Sequence, residues 1–311
     1  MTKLKKVEDI DPNSKLGQAI QANAINPTHI RPRKGLILAG GYGTRLHPLT
    51  LTTSKQLLPV FDKPMIYYPL SVLMRAGIRD VLIITNKGNE RVFHKLFGDG
   101  SSLGMNISYA PQMIPKGIPD AFVVGKRFIG NDPVCLILGD NLFFGNFGQQ
   151  LYIALGLPTA SIFLFKTKDP SPYGVYDREQ KRIIEKPKEF VSHWAVTGLY
   201  FYENDVTDFA KTLKPSARDE LEITEVNEHY LSQQKLAVHY LPEGCVWLDA
   251  GGHASLADAT ALVRTIEARQ GFKVGCVEEI AWRNNWIDTE KLLQKAESLK
   301  GSYGEYLRNL P

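Results

Sequence analysis

A glycine-rich turn followed by spaced cations is the first part of this sequence equipped for chemistry. Residues 36–50 read LILAGGYGTRLHPLT and residues 54–59 read SKQLLP. A buried strand ending in Gly40, Gly41 and Gly43 lets backbone amides approach a polyphosphate with no side chain in the way. Arg45 then offers a fork of donors for phosphate oxygens, and Lys55 a compact second positive charge. Two commoner phosphate loops are excluded. The segment lacks the third glycine of the dinucleotide fingerprint and the Gly-Lys-Ser/Thr ending of a P-loop. A turn that merely tightens a strand–helix joint would leave the basic residues beyond it unexplained.

Carboxylates are the second signal. Residues 136–141 read LILGDN, which sets Asp140 directly after a buried strand, at the sheet edge where ligands of open α/β folds bind. A hard carboxylate there suits Mg²⁺ bound to phosphates. Residues 247–249, WLD, supply Asp249 behind a second short apolar run, before Gly251 and Gly252. Either Asp alone reads more readily as a turn or cap residue; two of them with a phosphate loop are more persuasive together. Glu185 and Lys186 stand side by side before Pro187 and could divide labour between a sugar hydroxyl and its phosphate, although a surface ion pair explains them as well. His47 and His253 lie near motifs but read as loop or cap residues, and no histidine forms a catalytic pairing.

The elements that must hold these residues alternate. Apolar runs rich in β-branched and aromatic residues predict strands at 35–39, 81–85, 134–138, 160–166 and 195–202. A helix is predicted over 65–76, behind Pro64 and stopped by Gly77. Repeated βαβ units imply an α/β fold with a mostly parallel central sheet and helices on both faces. Leu256, Ala259, Val263 and Ile266 recur at helical spacing, with Ser255 and Asp258 as a helix-start pair, and 290–299 is helical too. The expected organisation is therefore an arm at 1–34, flexible or loosely docked, a catalytic domain at 35–253 and a helical appendage at 254–311. The arm carries one weak helical pattern, Leu16, Ile20 and Ala24.

Composition sets the limits. The 311 residues can bury a large core, and 43% apolar with 23% charged residues is ordinary for a globular protein. A net charge of +4 suits a site that handles phosphates but is too small and too evenly spread to argue for nucleic acid. Three cysteines, Cys135, Cys245 and Cys276, without a CxxC, suggest neither a disulfide framework nor a zinc ribbon. No stretch is apolar enough to span a bilayer, and Lys3, Lys5 and Lys6 precede no apolar core, so the expectation is a cytoplasmic protein.

Taken in order, the loop at 40–55, the strand ending at Asp140, Glu185-Lys186-Pro187, 196–202 and 216–224 closely resemble the glucose-1-phosphate thymidylyltransferases, which make dTDP-glucose for deoxysugar pathways such as rhamnose synthesis. The likeness runs from about Gly35 to the C-terminus and includes 271–280 and 286–288. It implies nucleotidyl transfer from dTTP to glucose-1-phosphate with Mg²⁺ as cofactor. Gly41, Gly43, Thr44 and Arg45 would hold the NTP phosphates, with Leu38 and Gly40 beside them and Arg45 steadying the leaving pyrophosphate. Lys55 would neutralise the α-phosphate region, and Gln56 would contact the base, with Gly117 and Asp120 also on the substrate. Asp140 and Asp249 would hold the metal. Gly174, Glu185 and Val196 would line the sugar, and Lys186 and Arg218 would grip its phosphate. The resemblance also implies a homo-oligomer, a tetramer in the family, and a secondary nucleotide site near the C-terminal helices.

Three departures from the family pattern stand out. Family members usually read Gly-Leu-Ala-Gln-Ala-Phe where this chain has GIPDAF at 117–122, so an acceptor-only Asp120 replaces a glutamine that both accepts and donates. That exchange is expected to relax or redirect base choice. Asp249 is followed by Ala250, Gly251 and Gly252 where the family usually carries threonines, and the arm is an addition. The alternatives to the family reaction are the same chemistry with another NTP or sugar phosphate, and a non-catalytic paralogue that binds sugar nucleotides. The set Arg45, Lys55, Asp140, Lys186 and Asp249 argues against the last.

Overall fold

Strands form where the apolar runs fall. The structure, a computed structural model, describes residues 33–311. The five predicted strands are observed as Lys34–Ala39, Asp80–Asn86, Val134–Leu138, Ala160–Lys166 and Trp194–Tyr202. Their central residues are buried; Leu36, Ile37, Val81, Ile83, Leu136 and Ile137 have no solvent exposure. The predicted helix is Tyr67–Arg75, closed by Gly77 in the left-handed region at φ 75°. The α/β class is therefore as expected. Of the arm at 1–34 only the last two residues are described, and its Leu16, Ile20 and Ala24 pattern lies outside the described residues.

The chain divides into two compact units. One combines the segment ending at Leu36 with Ile114–Ile137 and Gly145–Trp247; the other combines Ile37–Met113, Leu138–Phe144 and Leu248–Pro311.

In the first unit the hub is Trp194–Tyr202. It runs antiparallel to Val134–Leu138 on one side, and to Ala160–Lys166 and Gly174–Asp177 on the other. Gly174–Asp177 forms a hairpin with Arg182–Glu185, and Leu236–Tyr240 lies parallel to Ala160–Lys166. Arg33, the first described residue, is held here, donating to the carbonyls of Tyr202 (3.3 Å) and Leu157 (3.0 Å).

The second unit is built on parallel pairing. Asp80–Asn86 and Asn106–Gln112 run side by side in a seven-residue register. The end of Lys34–Ala39 lies next to Asp80–Asn86 in the sheet order. Gly40, Asn86 and Gln112 thus gather at the carboxyl ends of parallel strands, the usual ligand edge of such sheets. Helix Val277–Arg283 packs on helix Tyr67–Arg75, and Asn284 Nδ2 donates to the Met74 carbonyl at 3.2 Å.

The C-terminal segment is helical, as His253–Gln270, Val277–Arg283, Thr289–Ser298 and Ser302–Arg308. The first of these begins before the expected Ser255 and Asp258. Ser255 lies in its first turn and reaches back: its hydroxyl accepts from the Gly252 N–H and donates to the Gly252 carbonyl, both at 3.1 Å. Among the described residues no helix is long and apolar enough to cross a membrane.

Candidate active site

The glycine loop is held open by side chains from its neighbours. Gly41 (φ 91°) and Gly43 (φ 61°) occupy the left-handed region, which glycine adopts without penalty. The Gly41 N–H donates to Asn86 Oδ1 at 2.9 Å, and Asn86 Nδ2 donates to the Gly41 carbonyl at 2.8 Å. One amide side chain therefore satisfies both backbone groups of one glycine. The Thr50 hydroxyl donates to the Gly43 carbonyl at 2.7 Å. A Cβ on Gly40 would run into Gln112 Oε1, so this glycine permits a close approach rather than a turn. Gln56 is buried against the same loop; it accepts from Ser54 Oγ at 2.6 Å, and its Nε2 lies 3.5 Å from the Gly40 carbonyl. Thr44 opens the short 3-10 turn Thr44–Leu46, whose Leu46 plugs it into the core.

Beside the loop, in the same unit, four charged residues meet. Lys55 Nζ donates to Asp140 Oδ2, with both side chains mostly buried, and Asn141 Nδ2 donates to Asp140 Oδ1 at 3.1 Å. The Ala250 N–H donates to the Asp140 carbonyl at 2.9 Å, which ties Asp249 to Asp140 through the backbone. Arg45 lies over Gly251: a Cβ there would come within 2.6 Å of an Arg45 guanidinium nitrogen and 2.9 Å of Asp249 Oδ1. Gly251 is thus a glycine because a guanidinium fills the space.

The two acids are in unequal states. Burial works to raise Asp140, but the Lys55 ammonium and the hydrogen bonds from Lys55 and Asn141 outweigh it and hold the carboxyl below its ordinary value. Burial, and then the negative charge of Asp140, push Asp249 up to about 7 against the pull of Lys55 and Arg45. Two adjoining carboxylates with one close cation leave the second acid short of positive charge. Among the described residues no group of three or more His, Cys, Asp or Glu side chains could hold a metal. Two carboxylates match Mg²⁺ well, because that ion takes one or two from the protein and the rest of its oxygens from phosphates and water.

The other unit holds a second cluster. Register in the hairpin sets Glu185 opposite Gly174. Arg218 donates to Glu222 through Nε (3.0 Å) and a terminal nitrogen (2.5 Å), and to Glu185 Oε1 at 2.9 Å. Thr224 Oγ1 donates to Glu185 Oε2 at 2.5 Å, and Ser216 Oγ to Glu222 Oε1 at 2.6 Å. Lys186 is exposed and stands in the left-handed region at φ 43°, with its N–H donating to the Tyr173 carbonyl at 3.0 Å. A non-glycine residue held there is a strained one, of the kind that collects at functional sites. Val196 is buried in Trp194–Tyr202, where the register with Ala160–Lys166 slips between Val196 and Tyr200. Gly117 (φ 106°) bridges to Leu221, and a Cβ on it would collide with the Leu221 backbone. Asp120 opens the short helix Asp120–Val124, where an acid also suits the helix dipole.

The singled-out residues therefore fall into two groups. Leu38, Gly40, Gly41, Gly43, Thr44, Arg45, Lys55, Gln56, Asp140 and Asp249 belong to one unit; Gly117, Asp120, Gly174, Glu185, Lys186, Val196 and Arg218 belong to the other. Sequence reasoning missed Asn86, Thr50, Ser216, Glu222 and Thr224 as working side chains. Thr50 lay within the quoted loop motif and Ser216, Glu222 and Thr224 within the segment 216–224, while Asn86 left a signal as the polar end of an apolar strand run on the ligand edge of the sheet.

Comparison with known proteins agrees with this chemistry. A family model described as nucleotidyl transferase matches residues 34–265. A glucose-1-phosphate thymidylyltransferase of Neisseria meningitidis is 52% identical over 284 residues, covering 89% of this chain and 99% of the relative. A solved Bacillus anthracis chain, provisionally identified as a glucose-1-phosphate thymidylyltransferase and bound to sucrose, superposes with a TM-score of 0.69 at 40% identity, covering 75% of this chain and 95% of its own. A UDP-glucose pyrophosphorylase with UDP-glucose bound superposes with a TM-score of 0.68 at 25% identity, covering 76% and 99%.

Proposed function

This chain belongs to the nucleotidyl transferase family, and from that premise we propose that it transfers thymidylate from dTTP to glucose-1-phosphate, giving dTDP-glucose and pyrophosphate. The observation that carries the reading is the cluster of Lys55, Arg45, Asp140 and Asp249 beside an open glycine loop. A binding module has little use for two adjoining half-buried carboxylates, whereas a nucleotidyl transfer needs charge arranged around the α-phosphate.

The chemistry is a displacement. A phosphate oxygen of glucose-1-phosphate forms a bond to the α-phosphorus, the bond from that phosphorus to the bridging oxygen breaks, and pyrophosphate leaves with the electron pair. The attacking oxygen is already anionic, so no general base is required, in keeping with the absence of an assigned histidine. Asp140 and Asp249 would hold Mg²⁺, whose charge would neutralise the phosphates. Lys55 faces the α-phosphate and Arg45 the departing pyrophosphate. Gly43 and Thr44 line the phosphates. Gly41, whose N–H is given to Asn86, contributes chiefly by carrying no side chain. Leu38, Gly40, Gln56, Gly117 and Asp120 belong to nucleotide binding. Glu185, Gly174 and Val196 line the sugar, and Lys186 with Arg218 takes its phosphate.

Residues 35–253 serve as the catalytic domain, with 254–311 as its helical appendage. The family likeness also supports a cytoplasmic homo-oligomer, a tetramer, which sedimentation would measure.

The deciding experiment is pyrophosphate release with glucose-1-phosphate and Mg²⁺ across dTTP, UTP, CTP, GTP and ATP. The expected result is a dominant dTTP rate, with discrimination softened at Asp120 because a carboxylate lacks the N–H donors of an amide. A dominant rate with another nucleotide would keep the chemistry and change the substrate. No release with any of them would overturn the reading.

A further inference from the structure

Arg218 is paired more heavily than a residue whose only duty is to meet a phosphate. Its guanidinium makes a two-point contact with Glu222, Nε to Oε1 at 3.0 Å and a terminal nitrogen to Oε2 at 2.5 Å, and the same terminal nitrogen reaches Glu185 Oε1 at 2.9 Å. The partners are unlike. The Glu222 side chain is 11% exposed and that of Glu185 23%, while Arg218 itself is 36% exposed. Glu222 is fixed from behind by Ser216 Oγ at 2.6 Å, and Glu185 by Thr224 Oγ1 at 2.5 Å. Burial works against the Arg218 charge, but Glu222 first and Glu185 next hold it above its ordinary value.

We propose that Glu222 is the positioning residue of the sugar-phosphate cluster: it keeps Arg218 in place by the two-point pair, so that Arg218 can exchange Glu185 for the substrate phosphate without leaving the site. The proposal rests on the reading of Arg218 as a phosphate ligand. Its physical basis is geometric. An arginine side chain loses much rotamer freedom when fixed, and a planar two-point carboxylate contact fixes it before substrate arrives. Of the three donor contacts, the two to Glu222 stay, and only the one to Glu185, the more exposed acid, is given up. Releasing it also frees Glu185 Oε1 to accept from a sugar hydroxyl, which couples recognition of the sugar to the presence of its phosphate.

The test is steady-state kinetics on the full chain with Glu222→Gln, Glu222→Asp, Arg218→Met and the double variant Glu222→Gln/Arg218→Met. Glu222→Gln is expected to raise KM for glucose-1-phosphate about tenfold and to leave KM for dTTP within about twofold. Glu222→Asp should recover part of that loss. In the Arg218→Met background the same Glu222→Gln change should add less than about twofold, since Glu222 acts through Arg218. An unchanged KM for glucose-1-phosphate in Glu222→Gln, with Arg218→Met impaired, overturns this proposal and leaves the phosphate role of Arg218 standing. A loss of equal size with and without Arg218, or an equal rise in KM for dTTP, points to a structural role and overturns it too. An Arg218→Met variant with normal KM for glucose-1-phosphate overturns both. Glu222→Asp keeps the test alive if Glu222→Gln fails to fold.

Discussion

The cluster around Asp140 and the cluster around Arg218 handle charge in opposite ways. In the first, two cations face two acids, yet Lys55 spends itself on Asp140, and burial beside that charge lifts Asp249 to about 7. In the second, one guanidinium is embraced by two carboxylates, and hydroxyls add to them: Thr224 meets the free oxygen of Glu185, and Ser216 shares Glu222 Oε1 with Arg218, so every carboxylate oxygen accepts a hydrogen bond. The first arrangement waits for positive charge from outside. The second carries one more acid than cation, but its carboxylates are already hydrogen-bonded and it only has to change one partner. A half-satisfied buried cluster is costly to a protein unless a ligand completes it, and a satisfied one mainly fixes geometry. The expected consequence is that changes in the first cluster act on turnover, and changes in the second on the affinity for one substrate.

Asp140→Asn strikes the first cluster hardest. It removes the negative charge proposed to hold Mg²⁺ and leaves Lys55 an amide oxygen in place of a carboxylate. We expect kcat to fall about a thousandfold while dTTP affinity, read by calorimetry, changes severalfold at most. Near-normal turnover would remove the contrast between the clusters, because the Asp140 carboxylate would then be no more than a cap residue.

Acid stability should separate the two units in the other direction. Burial pushes His239, in the unit of the Arg218 cluster, down from 6.5 to about 4, and its ring stacks on Phe163 with Nε2 3.1 Å from Ser161 Oγ. The unfolded chain takes up a proton at pH values where the folded imidazole stays neutral. His239 therefore contributes stability that is complete above pH 6.5 and is lost as pH falls toward 4, about 3 kcal/mol across that window. Urea melts of the wild type and His239→Gln between pH 7 and 4 would show a shallower pH slope in the variant. Equal slopes would place the acid sensitivity elsewhere.

The same comparison shows what a sequence can carry. The loop at 40–55 was legible because its chemistry is local: a strand end, three glycines and two cations within twenty residues. The strands were legible from apolar runs, but the antiparallel course of Trp194–Tyr202 was not, since an apolar run has no direction. Short half-buried strands such as Gly174–Asp177 and Arg182–Glu185 escaped because neither is a continuous apolar run. Asn86 reaches Gly41 across 45 residues, and Glu185 meets Arg218 across 33. Both contacts depend on sheet order and register, which composition and spacing leave open. Glu222 read as one charge among several in RDELE, although it is the most enclosed acid of its cluster.

Asn86→Ala probes how far the first cluster depends on a loop shaped in advance. Losing both hydrogen bonds to Gly41 frees a glycine backbone that one side chain had fixed. KM for dTTP should rise about tenfold, with KM for glucose-1-phosphate unmoved. Asn86→Asp keeps an acceptor for the Gly41 N–H but cannot donate to its carbonyl, and should fall between the two. A rise in both KM values would mean that the loop supports the whole unit rather than the nucleotide.

One methyl group placed in each cluster gives the finest comparison. In Gly251→Ala the new Cβ would lie 2.6 Å from the Arg45 guanidinium and 2.9 Å from Asp249 Oδ1; in Gly174→Ala it would lie 3.1 Å from Thr224 Oγ1 and 3.4 Å from Glu185 Oε2. The guanidinium is the far end of a flexible side chain, so Gly251→Ala should fold normally. Arg45 has to move aside, however, and kcat should drop several-fold, to about tenfold, with the melting point nearly unchanged. Gly174→Ala asks only a few tenths of an ångström from a hydroxyl, and should raise KM for glucose-1-phosphate no more than about twofold. If the two substitutions cost the same, or if Gly174→Ala acts on kcat, the division into a turnover cluster and an affinity cluster fails, because both sets of contacts would then be serving the transition state.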